Sequence, residues 1–318
     1  MDEEAEKLVA ALNRLIDGET VVPALVALGE RAIPPLRRFL LEGRPSTVYQ
    51  PRRWAVQALG GLGAREVLME YLATLEPSAD PQIRFAEEAV ENAAYRQMAR
   101  WPSPATVEFL LELSQTRMRP GLVEALGELR VLEAIPYFDR ALEDDLCRSA
   151  AEQALLAIGP PARNALILSA GVRLPVGHAE SASSLRRRRS VLRVLTAIGV
   201  EPEDWPRLRT LLEETDAEIV TLTATLAIQA GATGDQETVI ERLISVSSYA
   251  PWFLLEEITE CLLAWWDAAR LRVEQEIGRR MAVPEFERVS DQCLRLLWRV
   301  TRRAAEIRAS TPGVNPTS

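Results

Sequence analysis

A short apolar motif that closes with glycine recurs along the chain and restricts its fold more than any other feature. Typical copies are Ala24–Gly29 and Ala154–Gly159, whereas a weaker copy has Arg130 in the last position. Six copies are recognisable, and they begin at Ala24, Ala58, Ala125, Ala154, Val194 and Leu226. Most successive copies are roughly 30 to 40 residues apart, which is the length of two short helices and their turns. The sequence therefore predicts a series of helical hairpins.

Proline follows the motif near the start of the next apolar segment, for example at Pro34–Pro35, Pro136 and Pro160–Pro161. Glycine adopts a left-handed turn at a helix end without strain, and proline is tolerated in the first turn of the next helix. Apolar residues recur with the helical period, and no segment shows the sustained alternation of a β-strand. We therefore expect an all-α fold, and we expect Gly159 to end its helix with a positive φ angle.

Two units, Arg52–Gly63 and Arg148–Gly159, share an order of residues: an Arg, small Ala positions, Ala-Leu and a closing Gly. A second helix led by Ala or Pro follows. This order resembles the short bacterial HEAT-like repeats first described in phycobilisome lyases, and the resemblance covers about residues 20–245. It implies a right-handed superhelical α-solenoid of HEAT/armadillo-like helical hairpins in a bacterial protein. Because such repeats serve many roles, the resemblance leaves the function open.

The ends of the chain differ from the repeats and predict four segments. We expect an N-terminal capping helix at 1–19, about seven helical pairs at 20–250 with an insertion at 171–187, a C-terminal helical hairpin cap at 251–309 and a disordered tail at 310–318. Two long helices, 253–281 and 285–309, should form the hairpin, because Val283–Pro284 interrupts the helical pattern. The tryptophans of this region are expected to fill the core between these helices; they are Trp265, Trp266 and Trp298.

The charge of the chain argues against a nucleic-acid partner. Its formal net charge is -9, whereas proteins that bind nucleic acid usually carry a basic excess or patch. The first residues are acidic and lack the apolar run of a secretory signal, and no stretch is long and apolar enough for a membrane span. The three cysteines are too widely spaced to suggest a disulfide framework or a zinc motif. We therefore expect a cytoplasmic protein with no membrane partner.

A single histidine, His178, limits the catalytic chemistry open to the chain. Ser-His-Asp triads and most zinc sites need histidine, and the surroundings of His178 predict a solvated loop. The phosphate-binding motifs GxxxxGK[ST] and GxGxxG do not occur. Adjacent acids such as Glu87–Glu88 are typical of the solvated face of a helix. We expect a protein that is not an enzyme and that has no catalytic residue, cofactor or metal.

Two clusters of arginine are the strongest candidates for a binding surface. One is a run of four that follows the insertion, and the other has the spacing i, i+4, i+7, i+8 of one helix face. The candidates are Arg186, Arg187, Arg188, Arg189, Arg295, Arg299, Arg302 and Arg303. We hypothesise that residues 171–189 project from the stack and contact a partner, because guanidinium groups suit carboxylates and phosphates. The alternative is that these arginines pair with the chain's own acids, such as Glu213 and Glu214.

Together these features favour a non-catalytic HEAT-repeat scaffold or adaptor that binds another protein, because a solenoid offers a long surface and needs no catalytic residues. Two alternatives stay open. The alkylpurine DNA glycosylases are similar stacks of HEAT-like helical pairs with a basic groove, whereas this chain is acidic and shows no series of Lys- or Arg-lined repeats. The repeat resemblance also permits a bilin-lyase-like or chaperone-like subunit. The sequence does not identify the partner.

Overall fold

The computed structural model describes residues 3–175 and 179–310, apart from the side chains of Phe286 and Glu287. These residues form helices and connecting turns and no β-strand, which confirms the all-α prediction. His178 and the tail from 311 to 318 lie outside the described residues. Within the described part of the chain, no helix is both long and apolar enough to cross a membrane. The chain divides into two compact units, Met1–Ile158 and Gly159–Ser318.

In the first unit the helices form two layers. The layer of first helices consists of α2, α4, α6, α8 and α10, which pack side by side in chain order. The other helices lie against this layer: α3, α5, α7 and α9 form the second halves of the hairpins, and α1 precedes the first hairpin. The bounds are α1 (Glu3–Ala11), α2 (Gly18–Ala27), α3 (Ile33–Leu41), α4 (Gln50–Gly61), α5 (Arg65–Thr74), α6 (Pro81–Met98), α7 (Pro104–Ser114), α8 (Pro120–Glu128), α9 (Ile135–Ala141) and α10 (Arg148–Ile158).

The second unit repeats this plan with α12, α14, α16 and α19 as the layer of first helices. A 3₁₀ turn at Arg209–Glu213 continues the short helix α13. The bounds are α11 (Arg163–Gly171), α12 (Ala182–Ile198), α13 (Trp205–Leu208), α14 (Ala217–Gln229), α15 (Gln236–Val246), α16 (Leu255–Ala264), α17 (Trp266–Met281), α18 (Glu285–Arg288) and α19 (Gln292–Ser310). In each unit the core lies between the two layers, where Ala, Leu and Val side chains are buried.

The glycines of the repeated motif end the first helices as expected. Gly159 has a φ of 73°, which confirms the prediction for this position. The same backbone occurs at Gly29, Gly63, Gly199 and Gly231. In the weaker copy of the motif this place is taken by Arg130, which has a φ of 51°. A side chain is strained in this region of backbone space, so the chain keeps the turn there even without glycine.

Small residues allow neighbouring first helices of the first unit to approach closely. A Cβ atom on Gly121 of α8 would lie 2.4 Å from the carbonyl oxygen of Asn92 in α6. A Cβ atom on Gly127, at the other end of α8, would lie 2.5 Å from the Cβ atom of Ala154 in α10. Both distances are shorter than normal van der Waals contact, so only glycine fits without displacing the neighbouring helix.

The C-terminal region differs from the sequence prediction in three ways. The helix expected at 285–309 is divided into α18 and α19. The helix expected at 253–281 is divided, because Trp265 has φ −115° and ψ 36° and separates α16 from α17. Neither proline nor glycine marks this break. In addition, Trp298 is 48% exposed, so the prediction that it fills the core is wrong. Trp298 lies on the outer face of α19, whose buried face consists of smaller side chains such as Leu294 and Leu297.

Candidate interaction surface

The first arginine run lies in the second turn of α12, after the N-cap Ser181. Arg188 is fully buried. Its Nε donates to the carbonyl oxygen of Ala170 at 2.8 Å, its Nη1 to Glu180 at 2.9 Å and its Nη2 to Glu214 at 2.6 Å. A guanidinium group has a rigid fork of donors, so one side chain joins the end of α11, the connection before α12 and the segment before α14. Arg188 is therefore an internal link between successive hairpins.

Arg187 caps the preceding helix. It is 2% exposed, and it donates to the carbonyl oxygens of Ser169 at 3.2 Å and Val172 at 2.5 Å. Carbonyl groups in the last turn of a helix have no partner within the helix, so a buried donor at this position replaces the lost water. These contacts correct the hypothesis that the run projects outward. Arg187 and Arg188 point into the second unit, where they donate hydrogen bonds to buried carbonyl and carboxylate groups.

The other two arginines of the run lie nearer the surface. Arg189 is ion-paired with Asp216 at 2.5 Å and with Glu218 at 3.4 Å, and Arg186 is half-buried. The alternative that the run pairs with the chain's own acids holds for Glu214. This carboxylate forms an ion pair with Arg188 and a second one with Arg173, at 2.5 Å. Burial alone would raise the pKa of Glu214, but hydrogen bonds from Arg173 and Arg188 outweigh it and lower the pKa below its usual value.

The same arrangement recurs in the first unit. Arg52, in the first turn of α4, donates to the carbonyl oxygen of Gly43 at 3.2 Å and to the Glu87 carboxylate of α6 at 3.0 Å. Arg117 donates to Leu72 at the end of α5 at 2.8 Å and to Glu91 of α6 at 3.3 Å. Each arginine thus caps an earlier helix and pairs with an acid of a neighbouring hairpin. We call these contacts the arginine ladder.

The sequence pattern alone did not predict the arginine ladder, although the ladder has a signal in the sequence. The repeat begins with Arg, as at Arg52 and Arg148, and this arginine is the capping donor. Arg148 donates from its Nε to the carbonyl oxygen of Leu142 after α9 at 3.0 Å. The acidic partner is harder to find, because it lies in a different hairpin and its position depends on the packing of the helices.

The second predicted cluster lies on α19. Arg299 and Arg303 face α16: Arg303 is 2.6 Å from Glu260 and Arg299 is 3.7 Å from Glu256. Arg302 is 3.7 Å from Glu306 on its own helix, and Arg295 donates to the carbonyl oxygen of Val289 at 3.0 Å. The four side chains therefore do not form one uncompensated basic surface. Partner binding by the exposed members stays a prediction.

The junction between α14 and α16 is different from its neighbours. Arginines of α12 meet acids of α14 on one side, and arginines of α19 meet acids of α16 on the other. Glu218 is the charged residue of α14, and those of α16 are Glu256, Glu257 and Glu260. Burial and the negative charge of Glu218 raise the pKa of Glu257, and the charge of Arg193 offsets part of this shift. At this junction both helices carry carboxylates, and neither α14 nor α16 contributes an arginine.

A groove of about 430 Å³ opens at the same junction. Its floor is mainly apolar and includes Leu222, Ile228, Cys261 and Ala264. The polar groups of the floor are engaged within the chain: Thr225 donates to the carbonyl oxygen of Thr221 at 3.3 Å, and Gln229 donates to that of Thr196 at 2.8 Å. Glu256, Glu257 and Glu260 form its rim. We call this feature the α14–α16 groove.

The described cysteines are buried thiols. Burial raises the pKa of Cys147 to about 12 and that of Cys261 to about 11, and Cys293 is also buried. At neutral pH these thiols stay protonated, which makes them poor nucleophiles. Among residues 3–175 and 179–310, no group of three or more His, Cys, Asp or Glu side chains is arranged to hold a metal ion.

The chain was compared with protein-family models and with curated proteins. No protein-family model matches the chain, and no curated protein matches it. The resemblance to HEAT-like repeats therefore rests on the residues of the repeated motif and stays a prediction.

Proposed function

We propose that the chain is a non-catalytic scaffold or adaptor of the HEAT-repeat type, a right-handed superhelical stack of hairpins that binds another protein. The observation that carries this proposal is the α14–α16 groove, an apolar depression on the layer of first helices with an acidic rim. Binding sites are typically concave and mainly apolar with a few polar groups at the edge, and the groove has this composition. Two layers of hairpins in each unit support the repeat architecture.

The contacts of the arginines favour a protein over a nucleic acid as the partner. A HEAT-type DNA-binding protein needs exposed cations that follow the phosphate backbone. Here Arg187 and Arg188 are buried, and Arg189, Arg299 and Arg303 are paired with carboxylates. The three free thiols support a reducing compartment, so we place the protein in the cytoplasm.

The proposal is tested by reconstitution of a complex. The full chain is used to capture proteins from the cells that produce it, and each enriched protein is then purified and mixed with the chain. We expect at least one to form a stoichiometric complex in sedimentation analysis. If no purified candidate forms such a complex, the scaffold proposal is wrong. In parallel, a labelled DNA duplex is titrated at low salt, and strong binding that weakens steeply with salt would favour the nucleic-acid alternative.

A further inference from the structure

We propose that the α14–α16 groove is the docking site for a basic amphipathic helix of a partner protein. This inference rests on the proposed function and specifies the partner. The partner helix would place apolar side chains on the groove floor and Lys or Arg side chains beside the glutamates of the rim.

The charges around the groove specify a basic partner. At both neighbouring junctions, arginines of the adjacent helix neutralise the carboxylates: Arg193 of α12 pairs with Glu218, and Arg303 of α19 pairs with Glu256 and Glu260. Among the described residues, Glu257 forms neither an ion pair nor a side-chain hydrogen bond; the charge of Glu218 raises its pKa, and the charge of Arg193, which is paired with Glu218, lowers it. A cation from outside the chain would complete the ladder at this position.

The composition of the floor specifies a helix. An extended peptide needs hydrogen-bond partners for its backbone, which it usually finds along a free strand edge. The described residues contain no strand, and Thr225 and Gln229 already donate within the chain. An apolar floor therefore leaves the backbone of an extended peptide unsatisfied, whereas a helix satisfies its own backbone groups.

The size of the groove agrees with a short helix. It lies along α16, a helix of 10 residues, which corresponds to about 15 Å at 1.5 Å per residue. A partner helix of about three turns would span this length and present apolar residues at i, i+3, i+4 and i+7. Ala264 and Ile228 line the groove, so larger side chains there would block the partner.

The probe is a fluorescein-labelled synthetic helix of about 18 residues, rich in Ala, with Leu on one face and Lys on the flanks. One matched peptide replaces each Lys with Glu, and another has the same composition in an order without an apolar face. Binding to the full chain is measured by fluorescence anisotropy at low and at physiological salt. We expect the basic amphipathic peptide to bind more tightly than both controls, and its affinity to fall as salt rises.

Two pairs of variants locate the peptide. Glu257→Lys reverses the unpaired charge of the rim, and Ala264→Arg fills the groove; Glu203→Lys and Ala268→Arg make the same changes at exposed positions of the second unit. We expect each groove variant to weaken peptide binding about tenfold, or roughly 1.4 kcal/mol, and each control to leave it unchanged. Because Glu257→Lys places a cation near both Glu218 and Arg193, whose charges act on this position with opposite signs, its melting temperature should stay close to that of the unmodified chain.

The outcomes separate the docking site from the scaffold. Equal affinities for the basic and acidic peptides, no binding of the basic peptide, or unchanged binding in Glu257→Lys and Ala264→Arg would overturn the docking proposal. If a partner found by reconstitution binds these variants as tightly as it binds the unmodified chain, the scaffold proposal is supported and the groove is not the binding site of that partner. If no partner is found while the basic peptide binds at the groove, the docking site stands without the scaffold.

Discussion

Replacement of Arg188 by Met removes the charge of the arginine and keeps most of its volume. The change leaves the carbonyl oxygen of Ala170 without this donor, and it removes one ion pair each from Glu180 and Glu214. Breaking a buried ion pair by removing one partner costs about 3–5 kcal/mol. Glu214 retains its ion pair with Arg173, and the side chain of Glu180 is 16% exposed, so we expect a loss of about 3 kcal/mol.

The loss is measured by urea unfolding and by thermal melting of the full chain. A loss of about 3 kcal/mol lowers the melting temperature by roughly 10 °C for a unit of this size. Arg302→Met is the matched control, because the side chain of Arg302 is 74% exposed and its distance to Glu306 is 3.7 Å. Exposed pairs of this kind contribute less than about 1 kcal/mol. Arg188→Lys should restore only part of the stability, since an ammonium group lacks the planar fork that reaches three acceptors.

The pH dependence gives an independent check. Because the pKa of Glu214 is lowered in the folded protein, its stabilising contribution is present above the unfolded-state pKa of about 4.3. It is lost as the pH falls through the folded-state pKa. The stability difference between the unmodified chain and Arg188→Met should therefore narrow as the pH is lowered from 7 towards 3. An unchanged unfolding midpoint at pH 7, or a difference that widens in acid, would refute the assignment of Arg188 as a buried link.

Three further changes test the repeat itself by thermal melting. Arg130→Gly should stabilise the protein by about 1 kcal/mol, because glycine adopts the observed φ of 51° without strain. A lower melting temperature would contradict the interpretation that Arg130 is strained. Gly159→Val should destabilise it by about 1–3 kcal/mol, because a β-branched residue is strained at a φ of 73°, and an unchanged melting temperature would refute it. Gly127→Ala should cost about 1–3 kcal/mol, because its Cβ would lie 2.5 Å from that of Ala154; Ala154→Gly in the same chain should recover part of this loss, and no recovery would show that the clash is elsewhere.

Local signals in the sequence were sufficient for the helices and their turns. The Ala-Leu motif has the helical period, and its closing glycine identifies the residue that takes a positive φ, as at Gly159. Even the weak copy marks the correct place, since Arg130 adopts the same backbone. By contrast, the break at Trp265 has no local signal, because no proline or glycine accompanies it. Helix breaks of this kind are set by packing against other elements, which a local pattern does not contain.

The sequence did not indicate where the arginine side chains lie in the fold. A run such as Arg186–Arg189 has the composition of an exposed binding surface, and only the fold shows that Arg187 and Arg188 are buried. Their acceptors are the end of α11 and acids such as Glu214, which stands 26 residues beyond Arg188. The α14–α16 groove was missed for the same reason. Glu218 and Glu257 are far apart in the chain, so no local pattern indicates that they meet at one junction.

The α14–α16 junction brings acidic side chains of two helices together. Burial and the charge of Glu218 raise the pKa of Glu257, and the charge of Arg193 offsets part of this shift. The acids of the α12–α14 and α16–α19 junctions form ion pairs with arginine, whereas Glu257 forms none among the described residues. Local arrangements that cost stability, such as facing carboxylates, persist at sites where function depends on them. Since the charges of Glu218 and Arg193 act on this position with opposite signs, Glu257→Lys should leave stability nearly unchanged while it weakens binding of the partner, a pair of effects that a purely structural role for Glu257 does not produce.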